Sequence, residues 1–242
     1  AGEVLRFNDF IWMGHRNRRR STSNAQPSPC MSQTALSAGQ RTELVLASRL
    51  MRIVGGTAGG RLLSVPRGLA VRPTPDLVKQ AVFNSLGDRV AVAQVLELFA
   101  GSGALGLECL SRSAVRVVAV EKAGRHAAMI RKNLDATGLP VGRFELRTQD
   151  AFAAIAQLHA AGEKFDLVLA DPPFGEKNVG RRSQSLSQQL LDDAELPHLI
   201  ASGGLFVLGH ANRDTLTLPA PWTERKVLRH GDSVMRFLRP AD

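Results

Sequence analysis

Between residues 92 and 171 the chain alternates four times between short apolar runs and longer amphipathic ones. "VAQVLELFA", "VRVVAVE", "GRFELRTQ" and "FDLVLAD" are strand candidates, and "SGALGLECLSRS", "AGRHAAMIRKNLDATG" and "DAFAAIAQLHAAG" between them are helical. Strand–helix repeats joined by short loops bury their apolar surface as a mostly parallel sheet with helices on both faces. After a polar, Ser- and Gln-rich stretch, the helix candidate "SQQLLDDAELPHLI" leads into a fifth strand, "GGLFVLGH". The final pair, "TERKVLRHG" and "SVMRFLR", reads as a hairpin that adds an antiparallel edge. In such an α/β fold ligands bind at the carboxyl ends of the strands, so the chemistry belongs at that edge.

The first strand runs into "ELFAGSGALG", where Gly101, Gly103 and Gly106 satisfy G-x-G-x-x-G at a strand-to-helix turn. Glycines there let the backbone approach a ligand, but NAD, FAD and S-adenosylmethionine (SAM) enzymes share the pattern. Glu121, ending the second strand, can accept hydrogen bonds from both ribose hydroxyls of any of these cofactors. A tight turn and a solvated acid are the plainer readings of the same residues. Glu97 separates the cofactors. It sits four residues before Gly101, where a carboxylate repels a pyrophosphate but pairs with the ammonium group of a methionine cofactor. Asp150, opening the helix "DAFAAI", is either a helix cap or an acceptor for an adenine amino group.

The fourth strand ends in "DPPF", Asp171 to Phe174. Topology puts it beside the first strand, facing the glycine turn. Pro172 and Pro173 make the loop rigid, so the Asp171 carboxylate and the Pro172 carbonyl can point at one site beside the flat ring of Phe174. Two acceptors and a stacking face complement a planar base bearing an exocyclic amine. Such an amine is a weak nucleophile because its lone pair is delocalised. Acceptors at its N–H groups favour a pyramidal nitrogen and receive the proton after attack on an activated methyl group. This chemistry requires no metal and no covalent intermediate.

Upstream, "MRIVGGTAGGRLLSVP" suggests a β-hairpin with Gly-Gly turns. In "RPTPDLVKQAVFNSLG", Thr74 is the expected N-cap, Pro75 the first helical residue and Gly87 the stop, with Val78, Val82 and Leu86 on one buried stripe. Together with "ELFAGSGALGLE", "VVAVEK", "DAF", "DPPF" and the terminal "GDSVMRFLR", these segments resemble the RsmD family of 16S rRNA guanine-N2 methyltransferases. The resemblance spans about Arg52 to Arg239. It implies a Rossmann-like class I methyltransferase with a seven-stranded sheet and a small N-terminal hairpin extension. It further implies SAM as cofactor and methyl transfer to N2 of a guanine, nucleotide 966 of 16S rRNA, within an assembling 30S subunit. By the same resemblance Glu97, Gly101 and Gly103 hold the methionine end, Glu121 the ribose and Asp150 the adenine. Phe99, Lys122, Ala151 and Asp171 complete the cofactor set. Asp171, Pro172, Pro173 and Phe174 hold the target guanine, with Phe174 standing where many relatives carry Tyr. Arg52, Arg61, Arg72 and Thr74 face RNA or close over the cofactor.

Residues 1–50 are polar, Ser- and Gln-rich and without periodicity, and read as disordered or as a non-native extension; an organelle transit peptide is the other reading. The expected divisions are 1–50, a hairpin and helix extension at 51–88, and a catalytic domain at 89–242. The chain carries a formal net charge of +9, from 31 Lys and Arg against 22 Asp and Glu. From Met51 onward 24 basic residues face 19 acidic ones. The excess favours a polyanionic partner. Arg181 and Arg182, after the proline loop, are either phosphate contacts or an exposed loop, and Arg213 is undecided. Few aromatics interleave with these charges, which favours recognition of structured RNA over a broad stacking surface. Cys30 and Cys109 make no disulfide framework, the six histidines show no metal-ligand spacing, and no apolar run approaches the ~20 residues of a membrane span. A cytoplasmic monomer without metal is expected. Other readings are an adenine-N6 or glutamine methyltransferase, an NAD-dependent oxidoreductase, and a non-catalytic RNA-binding factor.

Overall fold

A computed structural model describes residues 51–65, 75–174, 177–178 and 181–241. The N-terminal part comprises β1 (Met51–Arg52), β2 (Leu62–Leu63) and α1 (Asp76–Leu86). The alternating part comprises β3 (Gln94–Leu98), α2 (Ala104–Ser111), β4 (Arg116–Val120), α3 (Gly124–Thr137), β5 (Phe144–Arg147), α4 (Ala151–Ala160) and β6 (Phe165–Ala170). The chain closes with α5 (Leu186–Asp192), β7 (Ile200–Ala211), β8 (Trp222–His230) and β9 (Ser233–Pro240). No described helix is long and apolar enough to cross a membrane.

Strands β3 to β9 form one seven-stranded sheet in the order β5-β4-β3-β6-β7-β9-β8. The first five of that order are parallel, and β9 runs antiparallel to both its neighbours. The C-terminal hairpin is therefore present, with its return strand inserted next to β7 and β8 left at the edge. Composition explains the insertion. β9 buries Val234, Met235, Phe237 and Leu238 on its two faces, whereas β8 exposes Glu224, Arg225, Lys226 and Arg229, charges that discourage further pairing. Side-chain alternation divides the core. Val95, Val117, Leu167, Leu169 and Val207 pack under α1 and α2, and Leu96, Val118, Val168, Phe206 and Leu208 pack under α4 and α5. The chain reverses direction of winding between β3 and β6, which opens the ligand crevice at their carboxyl ends.

The N-terminal hairpin pairs Met51 with Leu63 and Arg52 with Leu62. Its loop docks on the end of α2. The N–H groups of Thr57 and Ala58 donate to the Ser111 carbonyl at 2.8 Å and to Ser111 Oγ at 2.9 Å, and that hydroxyl donates to the Gly55 carbonyl at 2.6 Å. Gly56 has φ +75°, and a Cβ there would lie 2.0 Å from the Ser111 carbonyl oxygen. The Gly-Gly pair thus serves a close approach as well as a turn. Buried Glu108 accepts from the Val54 N–H at 2.7 Å and from Arg112 Nε at 2.8 Å. From α1, buried Lys79 donates to the Arg52 carbonyl and pairs with Asp76 at 3.2 Å. Burial lowers the Lys79 pKa, and Asp76 opposes the shift. Met51, Ile53, Leu63, Val78 and Val82 share one apolar cluster with Leu107, Leu110 and Val117.

Two local expectations change. The buried stripe of α1 and its stop at Gly87 (φ +54°) are present, but Pro75 occupies the N-cap with ψ 147° and Asp76 opens the helix. Thr74 and Arg72 lie outside the described residues. The helix expected over 187–200 breaks at Asp192, because the Asp193 carboxylate accepts from the N–H groups of Glu195 and Leu196 at 2.9 and 2.8 Å. That turn starts a separate 3-10 segment, Leu196–Leu199, with Pro197 in its first turn. Pro197 cannot donate the bond that would continue α5.

Candidate active site

Three carboxylates converge because strand pairing sets their register. Glu97 pairs with Ala119 on one side and Leu169 on the other. Two residues further along the neighbours stand Glu121 and Asp171, on the same face of the pleat. Glu97 is buried, and its Oε1 accepts from the Leu105 N–H at 3.1 Å. Its Oε2 has no hydrogen-bond partner among the described residues. Burial pushes the carboxyl up to about 8, opposed by the backbone N–H groups of Gly106 and Leu105 and reinforced by Glu121 and Asp171. The last two acids are thus within electrostatic reach of Glu97.

The glycine turn is shaped as much by the protein as for a ligand. A Cβ on Gly106 would lie 2.6 Å from Glu97 Oε2, and one on Gly103 (φ +75°) 3.0 Å from Ile130 Cγ2. Gly101, also left-handed at φ +57°, donates its N–H to Glu121 Oε2 at 2.8 Å. The other oxygen of Glu121 accepts from the Ala123 N–H at 2.8 Å and lies 3.4 Å from His126 Nδ1. Phe99 adopts φ +57°, an uncommon conformation for a residue with a side chain and one that concentrates at functional turns. Its ring meets Phe152 edge-on at 6.3 Å.

Asp150 caps α4, accepting from the N–H groups of Phe152 and Ala153 at 3.0 and 3.5 Å on Oδ1. Lys122 Nζ donates to its other oxygen at 3.2 Å. Burial works against ionisation of Asp150, but Lys122 and the two N–H groups hold its carboxyl below the usual range. Ala151, the first residue of α4, is buried beside it, and Lys122 is exposed.

Asp171 is half-buried one residue beyond β6, followed by a buried Pro172, an exposed Pro173 and a partly exposed Phe174. A Cβ on Gly209 would lie 2.2 Å from Asp171 Oδ1, so the carboxylate rests over the bare backbone of β7. Ser187 Oγ donates to the Gly209 carbonyl at 3.1 Å from the other side. Gly209 carries no motif, although a glycine in mid-strand signals close approach. Asn133 was equally silent. Its buried amide Nδ2 donates to the carbonyls of Ser64 and Ser102, both at 2.9 Å, and its oxygen accepts from the Ser64 N–H at 2.8 Å. One side chain so ties the segment after β2 to the glycine turn; the only sign was an Asn on the apolar stripe of α3.

The basic candidates are dispersed. Arg52, paired with Asp76 at 2.8 Å, and Arg61 are exposed on the hairpin. Arg181 and Arg182 are exposed in the segment after Phe174.

An unpartnered, buried carboxylate oxygen beside two further acids suits a ligand that brings a cation and hydroxyl donors, and repels a pyrophosphate. This sheet order, the left-handed glycine turn and the acids at the ends of β3, β4 and β6 define a class I methyltransferase, the class that uses SAM. Comparison with known proteins narrows the class. The family described as conserved hypothetical protein 95 matches residues 51–239. The chain belongs to that family, the RsmD-type methyltransferases. The ribosomal RNA small subunit methyltransferase D of Escherichia coli K12 is 34% identical over 174 residues, covering 72% of this chain and 81% of the relative. The protein of the same name from Haemophilus influenzae is 36% identical over 124 residues, 51% of this chain and 64% of that one. Among solved structures, Escherichia coli yhhF superposes with a TM-score of 0.63 at 32% identity, covering 79% of this chain and 98% of that one.

Proposed function

We propose that the protein transfers a methyl group from SAM to the exocyclic N2 of a guanine in small-subunit rRNA, with nucleotide 966 as the position its family resemblance implies. The observation that carries this reading is the seat of Asp171, a carboxylate laid over Gly209 with an open aromatic ring three residues on. The likeness to a small subunit methyltransferase D along most of both chains supports the RNA substrate.

In this reading Glu97 pairs with the cofactor's ammonium group. Glu121 turns from the Gly101 N–H to accept from the ribose hydroxyls. Asp150 accepts from the adenine amine while keeping its cap, and Phe99, Gly101, Gly103, Lys122 and Ala151 line the same crevice. The bound cofactor supplies a methyl group activated on a sulfonium. Phe174 stacks on the guanine, and Asp171 and the Pro172 carbonyl accept hydrogen bonds from its two amine N–H groups, with Pro173 stiffening the loop. Holding both N–H groups would return the lone pair to nitrogen, so that the amine could take the activated methyl group the bound cofactor would supply. The displaced amine proton passes to Asp171 and then to water. Positioning and electrostatics supply the rate. Arg52 and Arg61, exposed on the hairpin, face the RNA in this arrangement. The assembling 30S particle in the cytoplasm is the substrate, met by a monomer.

Tritiated SAM incubated with 30S particles lacking the modification is expected to label 16S rRNA at a guanine. Label in 23S rRNA, DNA or protein instead, or at an adenine, would overturn the substrate assignment.

A further inference from the structure

A second charged feature lies across the loops that leave β6 and β7. Lys177, Arg181, Arg182 and Arg213 gather with Asn178, Thr215 and Thr217 around a cavity of about 530 Å³. Among the described residues only Arg182 of these four cations is paired with an acid, Asp192 at 2.6 Å. Like charges brought around one hollow repel one another, an arrangement that an anion in the hollow relieves. Guanidinium forks suit phosphate oxygens, and threonine hydroxyls add neutral donors to the same class of ligand.

The walls of the cavity are held by two side-chain amides. Asn178 donates to the Thr215 carbonyl at 3.0 Å and accepts the Thr215 N–H at 2.9 Å. Gln188 does the same for Thr217, donating at 2.8 Å and accepting at 2.7 Å. Each amide replaces the partner strand that the segment 215–217 lacks, so the segment is fixed against α5 and the loop after Phe174. Asn178 also donates to the Arg181 carbonyl at 3.1 Å, which ties one lining residue to the other. The cations therefore stand on a braced frame.

Lys177 follows Phe174 by three residues, which span at most about 11 Å of chain. We propose that this cavity binds a backbone phosphate of the RNA strand immediately next to the nucleotide seated on Phe174, with Arg213 and Lys177 joining Arg181 and Arg182 as phosphate ligands. The proposal rests on the reading of Asp171 to Phe174 as a base seat. It assigns the loop after β7 a part in substrate binding and explains why two amides are spent on a short connecting segment.

The test uses the full chain with the Lys177→Ala/Arg213→Ala double substitution, both at exposed positions, and 30S particles lacking the modification. The expected result is a KM for particles raised about tenfold, kcat at saturation within twofold of the unsubstituted protein, and unchanged SAM affinity. The slope of log affinity against log salt should become shallower by about 1. Arg131→Ala/Lys132→Ala, removing two exposed cations from α3, should move neither KM nor slope. Unchanged KM and slope in the first variant, with 16S rRNA still labelled, would overturn the phosphate site and leave the base seat standing. The same shift in both variants would reduce the cavity to bulk charge and overturn it too. Failure of the unsubstituted protein to label RNA would overturn the functional reading and this one with it.

Discussion

Gly209 decides the geometry of the site as much as any residue that touches substrate. Its missing Cβ is the space into which the Asp171 carboxylate is laid, since an added carbon would lie 2.2 Å from Oδ1. Gly209→Ala must push that oxygen aside, because the Cβ is anchored to a strand paired on both sides. Displacement of a positioning group by about 1 Å costs about 100-fold in rate. A fall in kcat of that order is expected, with SAM affinity within twofold and one cooperative melt. Calorimetric titration with SAM beside single-turnover methylation would separate the two effects, and an unchanged kcat would mean that Asp171 does not need its seat. Glu97 makes the same point from another side. Its identity suggested a cation partner, but only the neighbouring strands show that one of its oxygens is buried with no hydrogen-bond partner among the described residues.

Among the elements, the hairpin of β1 and β2 is the one most altered by context. Two residues per strand are too few for independent stability. The hairpin exists because α2 presents Ser111 and Glu108 to its loop and α1 presents Lys79 to the Arg52 carbonyl. Ser111→Ala removes the hydroxyl that satisfies both the Ala58 N–H and the Gly55 carbonyl. Leaving the buried Ala58 N–H and the part-buried Gly55 carbonyl unpaired should cost about 2 kcal/mol. Urea unfolding should show that loss with an unchanged m-value and a single transition, because the hairpin shares its apolar cluster with the sheet. A separate early transition would show instead that the hairpin is an independent unit. The sequence pattern already indicated a hairpin and a buried stripe on α1. It was silent on the docking, since Ser111 and Gly56 are remote in the chain and neither carries a periodic signal.

At the scale of the molecule, Glu97 and His210, two of the buried groups whose pKa is shifted among the described residues, titrate against folding in opposite directions. The Glu97 carboxyl is raised from 4.5 to about 8 by burial. Its contribution is complete below 4.5 and is lost as pH rises toward 8, since the unfolded chain releases the proton first. His210, buried and beside Arg236, is lowered from 6.5 to about 4. Its contribution is complete above 6.5 and is lost as pH falls toward 4, since the unfolded chain binds the proton first. The two oppose each other between 4.5 and 6.5, and of the two only Glu97 acts from 6.5 to 8. Without cofactor, stability should fall by about 2 kcal/mol over that upper window. Glu97→Gln should flatten the fall, as measured by urea melts at pH 6.5 and 8. An equal slope in the variant would assign the effect to other groups.

What the sequence determined by itself is what repeats over short distances. Periods of 2 and 3.6 residues identified the strands and helices, Gly101 and Gly103 marked the turn, and Glu97, Glu121, Asp150 and Asp171 stood at element ends where a crevice had to lie. Those signals are local, because they depend on which face each residue shows as the backbone turns. The insertion of β9 between β7 and β8, the docking of Gly56 on Ser111 and the bracing of Thr215 by Asn178 were decided only by the tertiary structure. So was the seating of Asp171 on Gly209. Each joins residues whose separation along the chain leaves no pattern, and each is settled by which surfaces can be buried together without leaving a polar group unpaired.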